Sequence, residues 1–91
     1  MNTDLVKLWK TALAEIELSV SRVAFHTQFK GSSLVSLVNN VATVGISNAP
    51  LRALVESRYY SLIKSILDHH TNQNVSLVFV VTSKHERMTD E

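Results

Sequence analysis

The sequence contains no cysteine, which excludes disulfide bonds, thiolate nucleophiles and thiolate metal ligands and fits a reducing compartment. It contains only two glycines, and neither lies in a phosphate-binding loop or a nucleophile elbow. The longest apolar run, Val75 to Val81, is interrupted by Ser76 and is far too short to span a bilayer. No basic segment precedes an apolar stretch at the N-terminus, so a signal peptide is not indicated. We therefore expect a cytoplasmic protein without membrane contact.

Charge of either sign is also scarce. Charged residues make up 19% of the 91 positions and hydrophobic residues 45%, with a formal net charge of +1. This composition is typical of one small globular domain. A nearly neutral domain has little field to attract nucleic acid or an anionic membrane, so any contact with single-stranded DNA is expected to be weak. We predict a folded domain over residues 1–82 and a polar tail or the beginning of a linker over residues 83–91.

An apolar stripe at helical spacing predicts the first helix. The stripe contains Leu5, Leu8, Trp9, Ala12, Leu13 and Ile16. Because these positions recur at steps of three and four residues, they lie on one face. We expect a helix from about Asp4 to Glu17 with Thr3 as its N-cap. A second, shorter helix, capped by Ser19 or Ser21, is expected to reach about Phe29.

Two Val- and Leu-rich segments flank a pair of asparagines. Residues 32–38 and 41–47 are predicted strands, and Asn39-Asn40 is predicted to form a two-residue hairpin turn because asparagine tolerates positive φ. A long third helix follows, with Asn48 as N-cap and Pro50 in its first turn. A last strand is expected over residues 75–82. The predicted fold is α+β, with the order α-α-β-β-α-β and a three-stranded sheet packed against helices on one side.

Residues suited to catalysis or metal binding are scattered. His69 and His70 end the third helix, where imidazoles favour the helix dipole, and no second pair of ligands accompanies them. His26 is expected on a polar surface. Glu15 and Glu17 are two residues apart and diverge on a helix, so they cannot share a proton. We expect no enzymatic activity, no cofactor and no bound metal.

The element order also raises an alternative function, a KH-like domain that binds single-stranded nucleic acid. The KH module clamps the nucleic-acid backbone with a GxxG loop. Here the segment after Phe29 reads Lys30-Gly31-Ser32-Ser33, which lacks the second glycine. The missing loop and the near-neutral charge weaken this alternative, which remains second to the function implied by the resemblance described next.

The ordered set of features resembles the N-terminal domain (domain I) of the bacterial replication initiator DnaA. The set comprises Leu8-Trp9 on the first helix, two phenylalanines four residues apart, the hairpin, the Asn-capped helix with Arg58-Tyr59 and Leu62-Ile63, and the Val-rich last strand. The resemblance runs from about Leu8 to Val81. It implies a KH-like fold without the RNA-clamping loop, and an interaction domain for residues 1–82. It further implies weak self-association, contact with the replicative helicase during loading at the origin, and binding of initiation regulators.

The resemblance also indicates candidate interaction residues. Trp9 matches the tryptophan of the family's self-association helix. The family's helicase-contacting acidic residue falls at Ala24, and its partner-binding aromatic residue at Pro50, so helicase contact through these two positions is in doubt. A tryptophan frequent in the family is replaced by Gln28. Ala24, Thr27, Gln28 and Pro50 would form a regulator-binding surface of different specificity.

Trp9 has two interpretations. It lies on the apolar stripe and could fill the core, or it could leave one edge exposed for pairing with a second copy. Phe25 and Phe29 are expected in the core. Of the adjacent Tyr59 and Tyr60, one is expected to pack and the other to lie near the surface, because their directions differ by about 100°.

Overall fold

The computed structural model describes the backbone of residues 2–82 and the side chains of residues 4–82. The predicted tail, residues 83–91, lies outside the described residues. Three helical segments and three strands follow one another in this order: α1 (Asn2–Ser19), α2 (Arg22–Ala24) continued by a π-helical turn (Phe25–Phe29), β1 (Ser33–Val38), β2 (Val41–Ile46), α3 (Ala49–Thr71) and β3 (Ser76–Val81). The predicted α-α-β-β-α-β order is confirmed.

The sheet has the strand order β1-β2-β3 and is mixed. β1 and β2 pair antiparallel, and Asn39 and Asn40 connect them with φ values of 53° and 65°, which confirms the predicted turn. A bulge at Val35 interrupts their pairing, because Leu34 pairs with Val44 whereas Ser36 pairs with Thr43. β2 and β3 pair parallel through the crossover formed by α3.

Both α1 and α3 pack on one face of the sheet, so the predicted packing of helices on one side is confirmed. The core contains residues from every strand and from both long helices: Trp9, Ala12, Ile16, Phe29, Leu34, Ala42, Val44, Ile46, Val55, Ile63, Ile66, Leu67, Val75, Leu77 and Phe79. The opposite face of the sheet, here called the outer face, carries no helix. Ser36, Val38, Thr43, Val78 and Val80 lie on it.

Two of the three predicted helix N-caps are confirmed and one is wrong. Asn48 Oδ1 accepts a hydrogen bond from the Leu51 N–H at 2.8 Å, and Ser21 Oγ accepts one from the Ala24 N–H at 3.0 Å, as predicted for N-caps. The prediction of Thr3 as the N-cap of α1 was wrong. The helix already begins at Asn2, so Thr3 lies inside its first turn.

The two tyrosines do not divide between core and surface as expected. Both are half-buried, since α3 crosses the sheet with its tyrosine turn between the π-helical turn and β3. The Tyr59 ring lies 5.2 Å from that of Phe29, and the Tyr60 ring 6.1 Å from that of Phe79. The Tyr60 hydroxyl also accepts a hydrogen bond from the Leu77 N–H at 3.2 Å. None of the described helices is long and apolar enough to cross a membrane.

Candidate protein-interaction surface

Three of the predicted interaction residues lie on one short segment, α2 and its π-helical continuation. Ala24 is half-buried, Thr27 is exposed and Gln28 is half-buried. The π-helical turn was not predicted from the sequence. Such turns are rare and occur frequently at functional sites, because they displace side chains from ordinary helical positions.

The packing of Phe29 fixes this segment against the rest of the molecule. Phe29 is only 2% exposed and packs against Tyr59 of α3. Phe25 is half-buried and stacks on Phe29 with a centroid distance of 6.1 Å, so it lies at the edge of the core. The following Gly31 has φ 87°, and a Cβ added to it would lie 3.7 Å from the Ser47 Cβ. The end of the π-helical turn therefore lies close to the segment that precedes α3.

Gln28 differs from its neighbours in its hydrogen bonding. Its side-chain oxygen is buried and has no hydrogen-bond partner among the described residues. By contrast, the Thr27 hydroxyl donates to the Val23 carbonyl oxygen at 2.8 Å. A buried acceptor without a donor costs free energy, so this oxygen marks a local weakness in the packing of the π-helical turn.

Pro50, the fourth surface residue predicted, is exposed in the first turn of α3. It lies three residues after Ser47, which is close to Gly31. The structure thus places Ala24, Thr27 and Gln28 on one segment and Pro50 on the neighbouring one.

The charge around α2 is of one sign, a feature that the sequence analysis missed. No acidic residue occurs between Glu17 and Glu56. Arg22 and Lys30 are exposed, and neither has an ion pair within the part of the chain that the structure describes. Val23, which follows Arg22 in the chain, is 72% exposed. We call Arg22, Val23, Thr27, Gln28 and Lys30 the α2 surface.

Trp9 does not belong to an exposed surface. Its side chain is 4% exposed, and its indole N–H donates to Ser32 Oγ at 3.1 Å. The Ser32 hydroxyl in turn donates to the Phe29 carbonyl oxygen at 2.6 Å. Of the two interpretations of Trp9, the structure supports the core residue and contradicts the exposed indole edge. Trp9 is a core residue because α1 packs over β1, which brings the loop carrying Ser32 against the ring.

One histidine and one acidic residue form a contact between two helices. His70, at the end of α3, pairs with Glu15 of α1. His69 lies beside His70 with a centroid distance of 5.3 Å, and His26 is exposed. Among the described residues, no group of three or more histidine, aspartate or glutamate side chains is placed to hold a metal ion.

A second polar network joins α3 to β3. Asp68 accepts hydrogen bonds from the Val75 N–H at 2.7 Å and from Lys64 Nζ at 3.0 Å. Lys64 also donates to Asn74 Oδ1 at 2.6 Å and to the Val75 carbonyl oxygen at 2.8 Å. The Val75 N–H, and after it Lys64, hold the pKa of Asp68 below its ordinary value of 3.8. All three protons of Lys64 are used within the fold, so this network is structural.

Comparison with known proteins finds a similar structure but no matching sequence family. No family model matches the sequence. The structure is similar to a chain in the crystal structure of a HobA–DnaA (domain I–II) complex from Helicobacter pylori, with a TM-score of 0.69 and 21% sequence identity. The match covers 80% of this chain and 94% of that chain. The fold is thus similar to that of DnaA domain I, the family that the ordered sequence features resemble.

Proposed function

We propose that this chain, with a fold like that of DnaA domain I, is a non-catalytic protein-interaction and self-association module of a DNA replication initiator. The observation that carries the proposal is the similarity of the fold to a DnaA domain, which in the similar structure belongs to a complex with HobA. The proposed partners are the replicative helicase and regulators of initiation. Weak contact with single-stranded DNA is compatible with this role.

The α2 surface is the proposed site for these partners. It combines an exposed apolar side chain, Val23, with two exposed cations. Interfaces with this composition have a small apolar centre and a polar rim. A partner surface that presents carboxylates towards Arg22 and Lys30 would complement it.

The residues at Ala24 and Pro50 distinguish the proposed surface from that implied by the family. Ala24 provides no carboxylate, and Pro50 no aromatic ring. A helicase contact in this chain would therefore rely on the cations and Val23, and would weaken as salt concentration rises.

Binding of the helicase tests the proposal. The 91-residue chain is immobilised, and the replicative helicase and the initiation regulators of the same cell are titrated over it. We expect at least one of them to bind, and Val23→Asp to weaken that binding about tenfold, or about 1.4 kcal/mol, because it places a charge at the apolar centre.

Val6→Asp is the matched control. Val6 is 62% exposed on α1 and lies outside the α2 surface, so this variant should bind as the wild type does. Failure of every candidate partner to bind the wild-type chain would overturn the proposal. Equal binding by the Val23→Asp and wild-type chains would overturn the assignment of the α2 surface.

A further inference from the structure

The chain between the π-helical turn and β1 forms a tight turn. The Ser32 N–H donates to the Phe29 carbonyl oxygen at 3.0 Å, three residues back in the chain. Lys30 has φ −65° and ψ 130°, and Gly31 has φ 87°. These angles match a type II β-turn, in which the second central residue needs a positive φ and is usually glycine. Lys30 and Gly31 are thus the central residues of a turn that Phe29 and Ser32 close.

The Ser32 side chain closes this turn a second time and ties it to α1. Its hydroxyl donates to the same Phe29 carbonyl oxygen at 2.6 Å, and its oxygen accepts the Trp9 indole N–H at 3.1 Å. Trp9 is buried on α1, a helix of 18 residues. The turn is therefore joined to a long, packed helix through one hydroxyl group.

The segment before the turn depends on contacts with the rest of the molecule. α2 has three residues and the π-helical turn five, whereas isolated helices shorter than about 12–15 residues are marginal in water. Phe25 and Phe29 hold the segment by apolar packing, which is not directional. The hydrogen bonds of Ser32 add a directional attachment at the end of the segment.

Lys30 is the exposed residue that this attachment orients most directly. It lies at the corner of the turn, between Phe29 and Gly31, and is one of the two cations of the α2 surface. Because a lysine stem is flexible, the region that its ammonium group can reach is set by the backbone that carries it. The backbone at Lys30 is set in turn by the bonds that Ser32 makes.

We propose that Ser32 is a positioning residue for partner binding at the α2 surface. By bonding both to the turn and to Trp9, it holds Lys30 where an acidic group of the partner binds. Ser32 itself is half-buried and lies outside the α2 surface. The proposal rests on the proposed function of that surface and adds a cause for its affinity, since a pre-ordered side chain loses less entropy on binding.

The position of the turn is tested first without any partner, by NMR of the 91-residue chain. The sequence has one tryptophan, so a single indole N–H signal reports the bond to Ser32. In Ser32→Ala we expect this signal to exchange faster with D₂O, and the Lys30 and Gly31 amide signals to shift. Ser32→Thr keeps the hydroxyl group and should retain the wild-type signals.

Two further variants make this measurement specific. Thr71→Ala is the matched control, because the Thr71 hydroxyl also donates to a carbonyl oxygen, that of Leu67 at 2.7 Å, but at the far end of α3. It should leave the Lys30 and Gly31 amides unchanged. Trp9→Phe removes the indole bond from its other end and should shift the same two amides, so the test does not depend on the folding of one variant.

Binding of the replicative helicase of the same cell to the immobilised chain tests the consequence. We expect Ser32→Ala to weaken binding about three- to tenfold, which corresponds to the cost of ordering one long side chain. Ser32→Thr and Thr71→Ala should bind as the wild type does. All variants are compared at a temperature well below their melting transitions, so that only folded chains are measured.

A double-mutant cycle separates positioning from a general effect on the fold. Lys30→Ala removes the cation, so Ser32→Ala should cause little further loss of affinity in that background. If Ser32 contributed only to stability, its replacement would weaken binding by the same factor with and without Lys30.

Unchanged indole exchange, or unchanged Lys30 and Gly31 amides, in folded Ser32→Ala would overturn the proposal whether or not the helicase binds. An equal loss of affinity in both Lys30 backgrounds, or the same loss in Thr71→Ala, would also overturn it. A wild-type chain that binds no partner overturns the proposed function, and the role of Ser32 in binding with it. Wild-type affinity in Ser32→Ala overturns the role of Ser32 alone, so the two failures are distinguishable.

Discussion

Trp9 contributes to the stability of the monomer in two ways, because its ring fills the core between α1 and β1 and its indole N–H is bonded to Ser32. We expect Trp9→Ala to lower the free energy of unfolding by about 3–5 kcal/mol. This is a large part of the roughly 5–15 kcal/mol available to a domain. Trp9→Phe should cost clearly less, since it keeps a ring and loses mainly one hydrogen bond, about 1 kcal/mol. Urea titrations followed by circular dichroism measure both changes.

Leu18→Ala provides the control on the same helix. Leu18 is 87% exposed, so its truncation should change stability by no more than about 0.5 kcal/mol. A Trp9→Ala protein that unfolds at the same urea concentration as the wild type would contradict the assignment of Trp9 to the core. The comparison matters for function. If Trp9→Ala lowers stability as expected, loss of self-association in that variant reflects unfolding and not loss of an interface.

Gly45 lies on the central strand, β2, at a position where the neighbouring side chains leave no room for a Cβ. A Cβ on Gly45 would lie 2.6 Å from Thr82 Cγ2 and 3.1 Å from Ser33 Oγ. The Thr82 backbone is held in place, since its N–H donates to the Ile46 carbonyl oxygen at 2.8 Å, so only rotation of the Thr82 side chain could relieve the clash. We expect Gly45→Ala to lower the free energy of unfolding by about 1–3 kcal/mol through overpacking.

A double-mutant cycle isolates the clash. Thr82→Ala removes the methyl and hydroxyl groups that the new Cβ would meet, so Gly45→Ala should be better tolerated in that background, by about 0.5 kcal/mol or more. Strictly additive effects in thermal or urea unfolding would contradict the close approach. The same glycine allows Ser33 of β1 and Thr82, which follows β3, to approach β2 from its two sides.

For the molecule as a whole, the connection between α3 and β3 is expected to make stability depend on pH. The pKa of Asp68 is lower in the folded chain than its ordinary value of 3.8, because the Val75 N–H and Lys64 favour the carboxylate. A carboxyl group with a lowered pKa stabilises the fold above its unfolded-state pKa. That contribution is lost progressively as the pH falls below about 5 and through the folded-state value.

Asp68→Asn tests this dependence. The variant should be less stable than the wild type at pH 7, and the difference should shrink as urea midpoints are measured at successively lower pH. Glu56→Gln is the control, because Glu56 forms only an exposed i,i+4 pair with Arg52, which contributes about 0–1 kcal/mol. A constant difference between Asp68→Asn and wild type down to pH 2 would contradict the role of Asp68.

Local features of this protein were determined by the sequence itself. Asparagine tolerates positive φ, so Asn39-Asn40 forms the hairpin turn, and Asn48 caps α3 because its side chain reaches the free Leu51 N–H. The apolar stripe of α1 predicts its buried face for the same kind of reason, since each depends on neighbours within a few residues. The placement of Ala24, Thr27 and Gln28 on one segment also followed from local sequence.

Other features were decided only by the tertiary structure. Periodicity shows that Trp9 lies on a buried stripe, but its depth depends on how closely α1 approaches β1 and Ser32. The buried oxygen of Gln28 depends on the π-helical turn, whose backbone hydrogen bonds no residue pattern specified. The edge position of β3 depends on sheet order, because the choice of β2 as its parallel neighbour comes from the α3 crossover. These properties arise from contacts between segments far apart in the chain, which composition and spacing do not report.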